Sequence, residues 1–414
     1  MQNLRNKAYS LLRRSESFFK TDMVYLSKGG FWLLSGQVIS LAISFGLSVA
    51  FANLLYQYEY GTYRYILSVA GMLGIISLSG LPTALTRSVA KGRSDSLWLA
   101  FFTNLKWSLL MTVGAGAIGL YYLLHGNNTL GISLLVAGAL SPLLDSGELY
   151  NSFLNGTQQF KRSSIYRTLR TLFNSAGMLL ALWFTRDPLY LVIVYFFLHT
   201  LSVTWIFFRV AREVPRTTID NPEMIRLGVH TSFINGLASF ADKIDNILVF
   251  QFLGPIQLAI YNFAVLLPTH MSGITKNIGT LATPRFAQME KSSVQKTLVS
   301  KSLMIALVGG VLAVGYILIA PLLFNWFFPQ YLDAIIYSQV YAVILVFSAA
   351  LPVALLDVHL AIKEKYKANF LASFSKIILI FCGVFFYGLW GLIVARIISK
   401  VVSVYVAFFF SKRI

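Results

Sequence analysis

Charged side chains inside long apolar runs are the residues here most able to do chemistry, because each must be solvated by something other than hydrocarbon. Asp242, Lys243 and Asp245 stand together in one such run and Lys376 in another. Arg396 and Lys400 lie four apart, on one face of a third. Lys276, Arg64 and Lys106 add further cations, and Asp145, Glu148 and Asp357 further acids. An unpaired cation at mid-depth costs about 2.5–3.5 kcal/mol even on insertion scales. Two like charges one turn apart repel unless water or an anion accompanies them. Two chemistries follow. Carboxylates can neutralise the cations internally, as Asp242 and Asp245 would around Lys243. Alternatively, the cations can hold an anion that has left water behind. Lys376, Arg396 and Lys400 have few acids near them in sequence, which favours a bound anion. Asp242, Asp245, Asp145 and Asp357 are then candidates for coupling to H+ or Na+.

Such charges need a scaffold that keeps them from lipid, and composition says what it is. Hydrophobic residues make up 57% of the 414 positions and charged residues 12%; mean hydropathy is +0.68. Apolar runs of about 20 residues recur along the chain, each long enough to cross a bilayer. They lack the alternation of barrel strands, so they are helices. The pattern predicts about twelve spans, at 30–54, 61–82, 97–124, 130–154, 164–184, 188–210, 228–253, 256–283, 299–323, 334–360, 366–386 and 389–410. The net charge of +18 is distributed as membrane insertion requires, not as a nucleic-acid surface. Twenty-five Lys and Arg fall in the N-terminal stretch, in every second loop and at the C-terminus; the opposite loops hold only Arg186. Basic loops stay in the cytoplasm, which predicts a multi-pass protein of the bacterial inner membrane with both termini cytoplasmic. Residues 1–28 read as a basic cytoplasmic or interfacial segment, not a cleaved leader. One cysteine, Cys382, leaves no disulfide framework and no cysteine metal cluster.

The chain echoes itself. Gly61-Thr62-Tyr63 and Ala259-Ile260-Tyr261 open corresponding spans 198 residues apart, and Arg87 and Arg285 close them at the same offset. An offset of six spans preserves orientation, which predicts two six-helix lobes related by a parallel pseudo-two-fold. The lobes are expected at 29–211 and 228–414, joined by a cytoplasmic linker at 212–227. Polar residues recur at helical spacing on the first span (Gln37, Ser44, Ser48) and the seventh (Asn235, Asp242, Asn246). That spacing fits either a wet central cavity or tight helix–helix packing. The repeat-related pair of stripes favours the cavity, with Lys243, Lys276, Lys376, Arg396, Lys400, Arg64 and Lys106 as its cations. No phosphate-binding glycine loop, nucleophile elbow or metal-ligand cluster is present, so the chain is not expected to be an enzyme.

Phe51-Ala52-Asn53-Leu54-Leu55 through Glu59-Tyr60-Gly61-Thr62-Tyr63, Gly80-Leu81-Pro82-Thr83-Ala84 and Leu154-Asn155-Gly156 occur in an order and spacing that continue into Ala241-Asp242-Lys243-Ile244-Asp245, Ile260-Tyr261-Asn262 and Phe327-Phe328-Pro329-Gln330-Tyr331. In these pieces the chain resembles the polysaccharide repeat-unit flippases (Wzx-type) of the multidrug/oligosaccharidyl-lipid/polysaccharide (MOP) exporter superfamily, over nearly its whole length. The resemblance implies a two-lobed, MATE-like helical fold that moves an undecaprenyl-pyrophosphate-linked oligosaccharide from the inner to the outer leaflet, for O-antigen, capsule or exopolysaccharide. It also implies that Asp242 and Lys243 are the acid–base pair of the seventh span, that no cofactor is needed, and that membrane lipid and glycan polymerase machinery are partners. Two other readings stay open. A cation-coupled multidrug antiporter of the same fold would want an acid-lined cavity. A membrane-embedded polysaccharide polymerase would want larger outer loops than these.

Overall fold

The computed structural model describes residues 23–216, 220–286, 291–347 and 362–411, and their side chains except those of residues 23–31, 33–34, 234, 273–301, 305, 362–365 and 411. Every described element is helical, as backbone groups in lipid require. In chain order these are α1 (Met23–Leu54), α2 (Gln57–Leu73), α3 (Leu81–Ala90), α4 (Ser96–Leu124), α5 (Asn128–Gly147), α6 (Leu149–Gly156) and α7 (Phe160–Phe184). They continue with α8 (Pro188–Ala211), α9 (Pro222–Leu253), α10 (Pro255–Phe286), α11 (Lys291–Phe327), α12 (Ala334–Tyr341) and α13 (Ile362–Ser411). Short 3-10 segments at Pro329–Tyr331 and Ala342–Phe347 flank α12. Six helical stretches are apolar and long enough to cross a membrane on that criterion alone. The 25-residue α7 and the 32-residue α9 and α10 are as long but carry the polar and charged residues that lower their hydropathy.

Four expected spans are built differently from simple rods. The second breaks between α2 and α3, where Gly74 and Gly80 interrupt the helix. Ser77 Oγ donates to Gly74 O there at 2.6 Å, and Gly80 N donates to Ser232 Oγ of α9 at 2.8 Å. The fourth is divided at Glu148 into α5 and α6. The eleventh and twelfth are two arms of α13, folded back at Gly388, whose φ of +57° and ψ of −134° a side chain would oppose. The arms cross on glycines: a Cβ at Gly391 would lie 2.0 Å from Gly383 O. Part of the tenth span, 348–360, lies outside the described residues.

The first half is assembled from α1 on α7, α4 on α5, α5 on α8, and α7 on α8. In the second half α9 packs on α13, α10 on α12, and α11 on the Ala342–Phe347 segment. The halves meet where α2 lies against α9 and α10, and α3 against α9. At the end remote from the basic loops an aromatic cluster closes this seam. Tyr60 of α2 stands 4.8 Å from Phe263 of α10, which stands 4.1 Å from Tyr331. Asn53 Nδ2 donates to Phe327 O at 2.9 Å, Gln57 Nε2 to Gln330 O at 2.5 Å, and Gln330 Nε2 to Asn53 O at 3.2 Å, stitching one half to the other.

The connector expected at 212–227 is tied to the first half. Val214 and Met224 are buried among Leu81, Trp98, Phe101 and Phe207, and Arg216 stacks 4.8 Å over the Trp98 ring. Asn221 Nδ2 donates to Ser88 and Ser96, while its Oδ1 accepts from Arg93 at 3.1 Å. Glu213 takes both arms of Arg162 at 2.6 Å. Arg162's hydrogen bond holds the Glu213 carboxyl below the usual range, so its stabilising contribution is present at neutral pH and is lost as pH falls through that lowered value. The pair is partly exposed, so Glu213→Gln is expected to cost under about 1 kcal/mol at pH 7 and less as the medium is made more acidic. Thermal unfolding in detergent, followed from neutral pH into acid, checks this.

Candidate functional site

The chemistry gathers on the middle of α9. Residues 242 and 245 are three apart and so share a face, while residue 243 is turned about 100° away. Asp242 Oδ1 accepts from Lys376 Nζ of α13 at 2.5 Å. Asp245 Oδ2 accepts from Arg396 Nη1 of the other α13 arm at 2.7 Å and from Tyr261 Oη of α10 at 2.6 Å. Arg396 Nη2 donates in turn to Tyr341 Oη at 3.0 Å. The two pairs differ in setting. The Asp245 side chain is 4% exposed, whereas that of Asp242 is 70% exposed.

Two cavities flank this row. One, of about 280 Å³, lies in the second half and is lined by Asp242, Thr269, Asn369, Lys376, Arg396 and Lys400. The other, of about 590 Å³, lies between the halves and is lined by Arg64, Ser77, Asn104, Asp145, Glu148, Tyr195, Asp242 and Lys243. Asp242 borders both. Lys243 borders only the larger, its Nζ passing the Gly71 Cα face of α2 where a Cβ would come within 3.7 Å. Glu148 is paired with Arg170 of α7. At the wall between the halves Arg64 Nε donates to Asn262 Oδ1 at 2.9 Å, across the 198-residue repeat offset. Asn246 Nδ2 then donates to Ser68 Oγ at 2.8 Å. Among the described residues, five cations (Arg64, Lys243, Lys376, Arg396 and Lys400) and three carboxylates (Asp145, Glu148 and Asp242) line the two cavities.

Several expectations need correcting. Asp242 and Asp245 do not neutralise Lys243; they reach Lys376 and Arg396 on α13, so those two cations are matched by carboxylates. Lys106 lies on the exposed outer face of α4 beside exposed Trp107, and lines neither cavity. Its long stem lets the ammonium sit outside the bundle, which helical spacing alone does not reveal. Gln37, Ser44 and Ser48 on α1 also line neither. Ser48 Oγ bonds back to Ser44 O at 2.9 Å, and α1 is held to α7 by Ser164 Oγ donating to Trp32 O at 2.6 Å. Asn235 lines neither cavity, and Asn246 is buried in the inter-half network. The Lys276 side chain and Asp357 lie outside the described residues. Sequence reasoning missed Tyr261 and Tyr341 as partners of the charge row. Tyr261 stood inside the quoted Ile260-Tyr261-Asn262 piece, whereas nothing around Tyr341 marked it.

Comparison with known proteins adds to this geometry. Residues 26–290 match the family model described as polysaccharide biosynthesis protein. No curated protein matches the chain. Among solved structures, a MOP superfamily transporter from Pyrococcus furiosus, described as having a binding pocket of reversed polarity, is 14% identical with a TM-score of 0.67, over 93% of this chain and 95% of that one. A MATE in complex with MaD3S is 13% identical with a TM-score of 0.65, over 94% and 95%. An outward-facing multidrug resistance MATE family transporter is 13% identical with a TM-score of 0.63, over 94% of each chain. At these identities the likeness is one of fold: the chain has the two-lobed helical architecture of MOP superfamily transporters.

Proposed function

The chain belongs to the polysaccharide biosynthesis protein family, and on that footing we propose that it is a flippase for a polyprenyl-pyrophosphate-linked oligosaccharide. The observation that carries the reading is the charge lining the two cavities, where among the described residues five basic side chains outnumber three acidic ones inside a transporter fold. A pyrophosphate cannot enter hydrocarbon bare, and a hydrated basic lumen replaces its solvation with charge-assisted hydrogen bonds. The polyprenyl tail stays in lipid while the sugars and phosphates pass between the halves. The larger cavity is in the range that encloses a small polar ligand, and its Asn104, Ser77, Tyr195 and Asp145 suit sugar hydroxyls.

Transport proceeds by rocking of the halves about the α2–α9–α10 seam, with the protein in the bacterial inner membrane and the basic loops and both termini cytoplasmic. The aromatic seal around Tyr60, Phe263 and Tyr331 is then the outer gate, closed in this conformation. In a cell negative inside, outward movement of anionic charge is favoured by about 2.3 kcal/mol per charge per 100 mV. Asp145, which lines the larger cavity, is the group we assign to H+ or Na+ return. The glycan polymerase machinery takes the delivered product.

The test is to replace Lys243, Lys376 and Lys400 singly with Gln and measure surface polysaccharide together with lipid-linked intermediate retained in the inner leaflet. Each variant, at unchanged membrane abundance, is expected to lower surface glycan about tenfold or more, the scale of a lost charge-assisted contact. Full glycan output from all three sinks the reading. A change in drug susceptibility without a glycan defect would instead assign the antiporter.

A further inference from the structure

Asp242 and Asp245 are neighbours on one face of α9 and both hold a cation of α13, yet their surroundings assign them different roles. Asp245 is 4% exposed and its Oδ2 is shared by Arg396 and Tyr261, with Asn246 N bonded to its Oδ1 at 2.9 Å. Nothing dissolved in a cavity can displace it without leaving Arg396 buried beside an empty place. Asp242 is 70% exposed, borders both cavities, and meets in Lys376 a cation whose own side chain is only 17% exposed. Lys376 has therefore lost most of its water, while the carboxylate compensating it remains wet. Leaving Lys376 costs Asp242 little, because its solvation is largely intact; losing all anionic company costs Lys376 far more.

We propose that Asp242 is an exchangeable counter-ion: the pyrophosphate of the incoming substrate takes its place on Lys376, and Asp242 returns when the phosphates depart. This rests on the lipid-linked reading above and adds to it the identity of the phosphate subsite, the second-half cavity where Lys376, Lys400 and Arg396 converge. No covalent step is involved. The exchange keeps Lys376 compensated at every stage, so an empty carrier does not hold a buried bare cation while it reorients. It also weakens substrate binding by the strength of the internal pair, so that release remains possible at the far side. The recognised chemistry is a pyrophosphate ester. Its lipid-linked and soluble forms share that group and are separated by experiment.

The experiment uses the full chain in nanodiscs, with two probes, undecaprenyl pyrophosphate and inorganic pyrophosphate, titrated calorimetrically against wild type, Asp242→Asn, Lys376→Gln and Asp245→Asn. Asp242→Asn removes the competitor and is expected to tighten undecaprenyl pyrophosphate binding about two- to fivefold, the value of a partly exposed pair, while slowing glycan export in cells. Lys376→Gln is expected to weaken binding about tenfold or more. Asp245→Asn is expected to lower thermal stability, and any loss of binding it shows should track the unfolded fraction. Weaker or unchanged binding by Asp242→Asn, with thermal stability like wild type, overturns the exchange even if cells still depend on the protein for surface glycan. Binding of inorganic pyrophosphate but not of the lipid, with the same tightening in Asp242→Asn, leaves the exchange standing and removes the lipid-linked reading. Absence of binding to either probe by wild type and Asp242→Asn alike overturns the proposal.

Discussion

Asp245→Ala is expected to destabilise the folded protein by about 3–5 kcal/mol, the usual cost of stranding one member of a buried ion pair. Arg396 reaches Asp245 from a helix 151 residues further along the chain and is left, after truncation, with Tyr341 as its side-chain acceptor among the described residues. Tyr261 loses its acceptor as well. The geometry also states what repairs the damage. In the double variant Asp245→Leu with Arg396→Met, no charge remains to be desolvated, and apolar substitutes for a buried pair are often neutral or better. Most of the lost stability should therefore return. Asp242→Ala, whose carboxylate is 70% exposed, leaves Lys376 without its anion but beside a cavity that water can enter, and should cost less by the same assay, about 1–3 kcal/mol. Equilibrium unfolding in mixed detergent micelles measures all three. Equal losses for Asp242→Ala and Asp245→Ala would show that the two pairs do the same job, contrary to their surroundings.

Gly61→Val should disable the closed arrangement of the seam. A Cβ at Gly61 would lie 1.9 Å from Pro255 O and 2.9 Å from Pro255 Cα, and both are backbone atoms at the turn between α9 and α10. No rotamer relieves that clash, so α2 must move away from α10, and overpacking of this kind typically costs about 1–3 kcal/mol. That strain falls on the state in which the Asn53, Gln57 and Gln330 clasp is made. A penalty of this size biases the population about five- to 150-fold toward arrangements with the seam parted. With exposed Cys382 first changed to Ser and a reporter cysteine placed at Ala259, which is fully buried on α10, thiol labelling is expected to speed up about tenfold. Surface glycan should fall to a few per cent if closure is part of the transport cycle. Wild-type labelling and normal glycan in Gly61→Val would show that the gate lies elsewhere.

The outcome on α9 explains why the charges were only half legible in the sequence. Asp242, Lys243 and Asp245 are adjacent in the chain, and adjacency suggests mutual neutralisation. On a helix, however, consecutive residues diverge by about 100°, so residues 242 and 243 cannot share a face. What they do face depends on which helices stand beside α9, and the actual partners lie 134 and 151 residues away. The α1 stripe carries the opposite lesson. Gln37, Ser44 and Ser48 repeat as regularly as the residues of α9, but they line neither cavity. Small hydroxyl residues serve a tight helix contact as well as a wet wall.

Hydropathy and the distribution of basic residues determined, without any structure, that the chain is a bundle of membrane-crossing helices. They also located most of the described helices, because transfer into lipid and charge retention act on local segments, although α1, α9 and α11 begin six to eight residues before the expected spans and α2 ends at Leu73 and not at residue 82. The 198-residue offset was legible too, and the meeting of Arg64 with Asn262 at that offset gives it a physical counterpart. Tertiary structure alone decided which cations are matched, that Lys106 faces outward, and that spans break at Gly74 and Glu148. It alone divided the polar interior into two cavities with Asp242 between them. Desolvation is a property of a place in the fold, set by neighbours distant in sequence, and no local pattern encodes it.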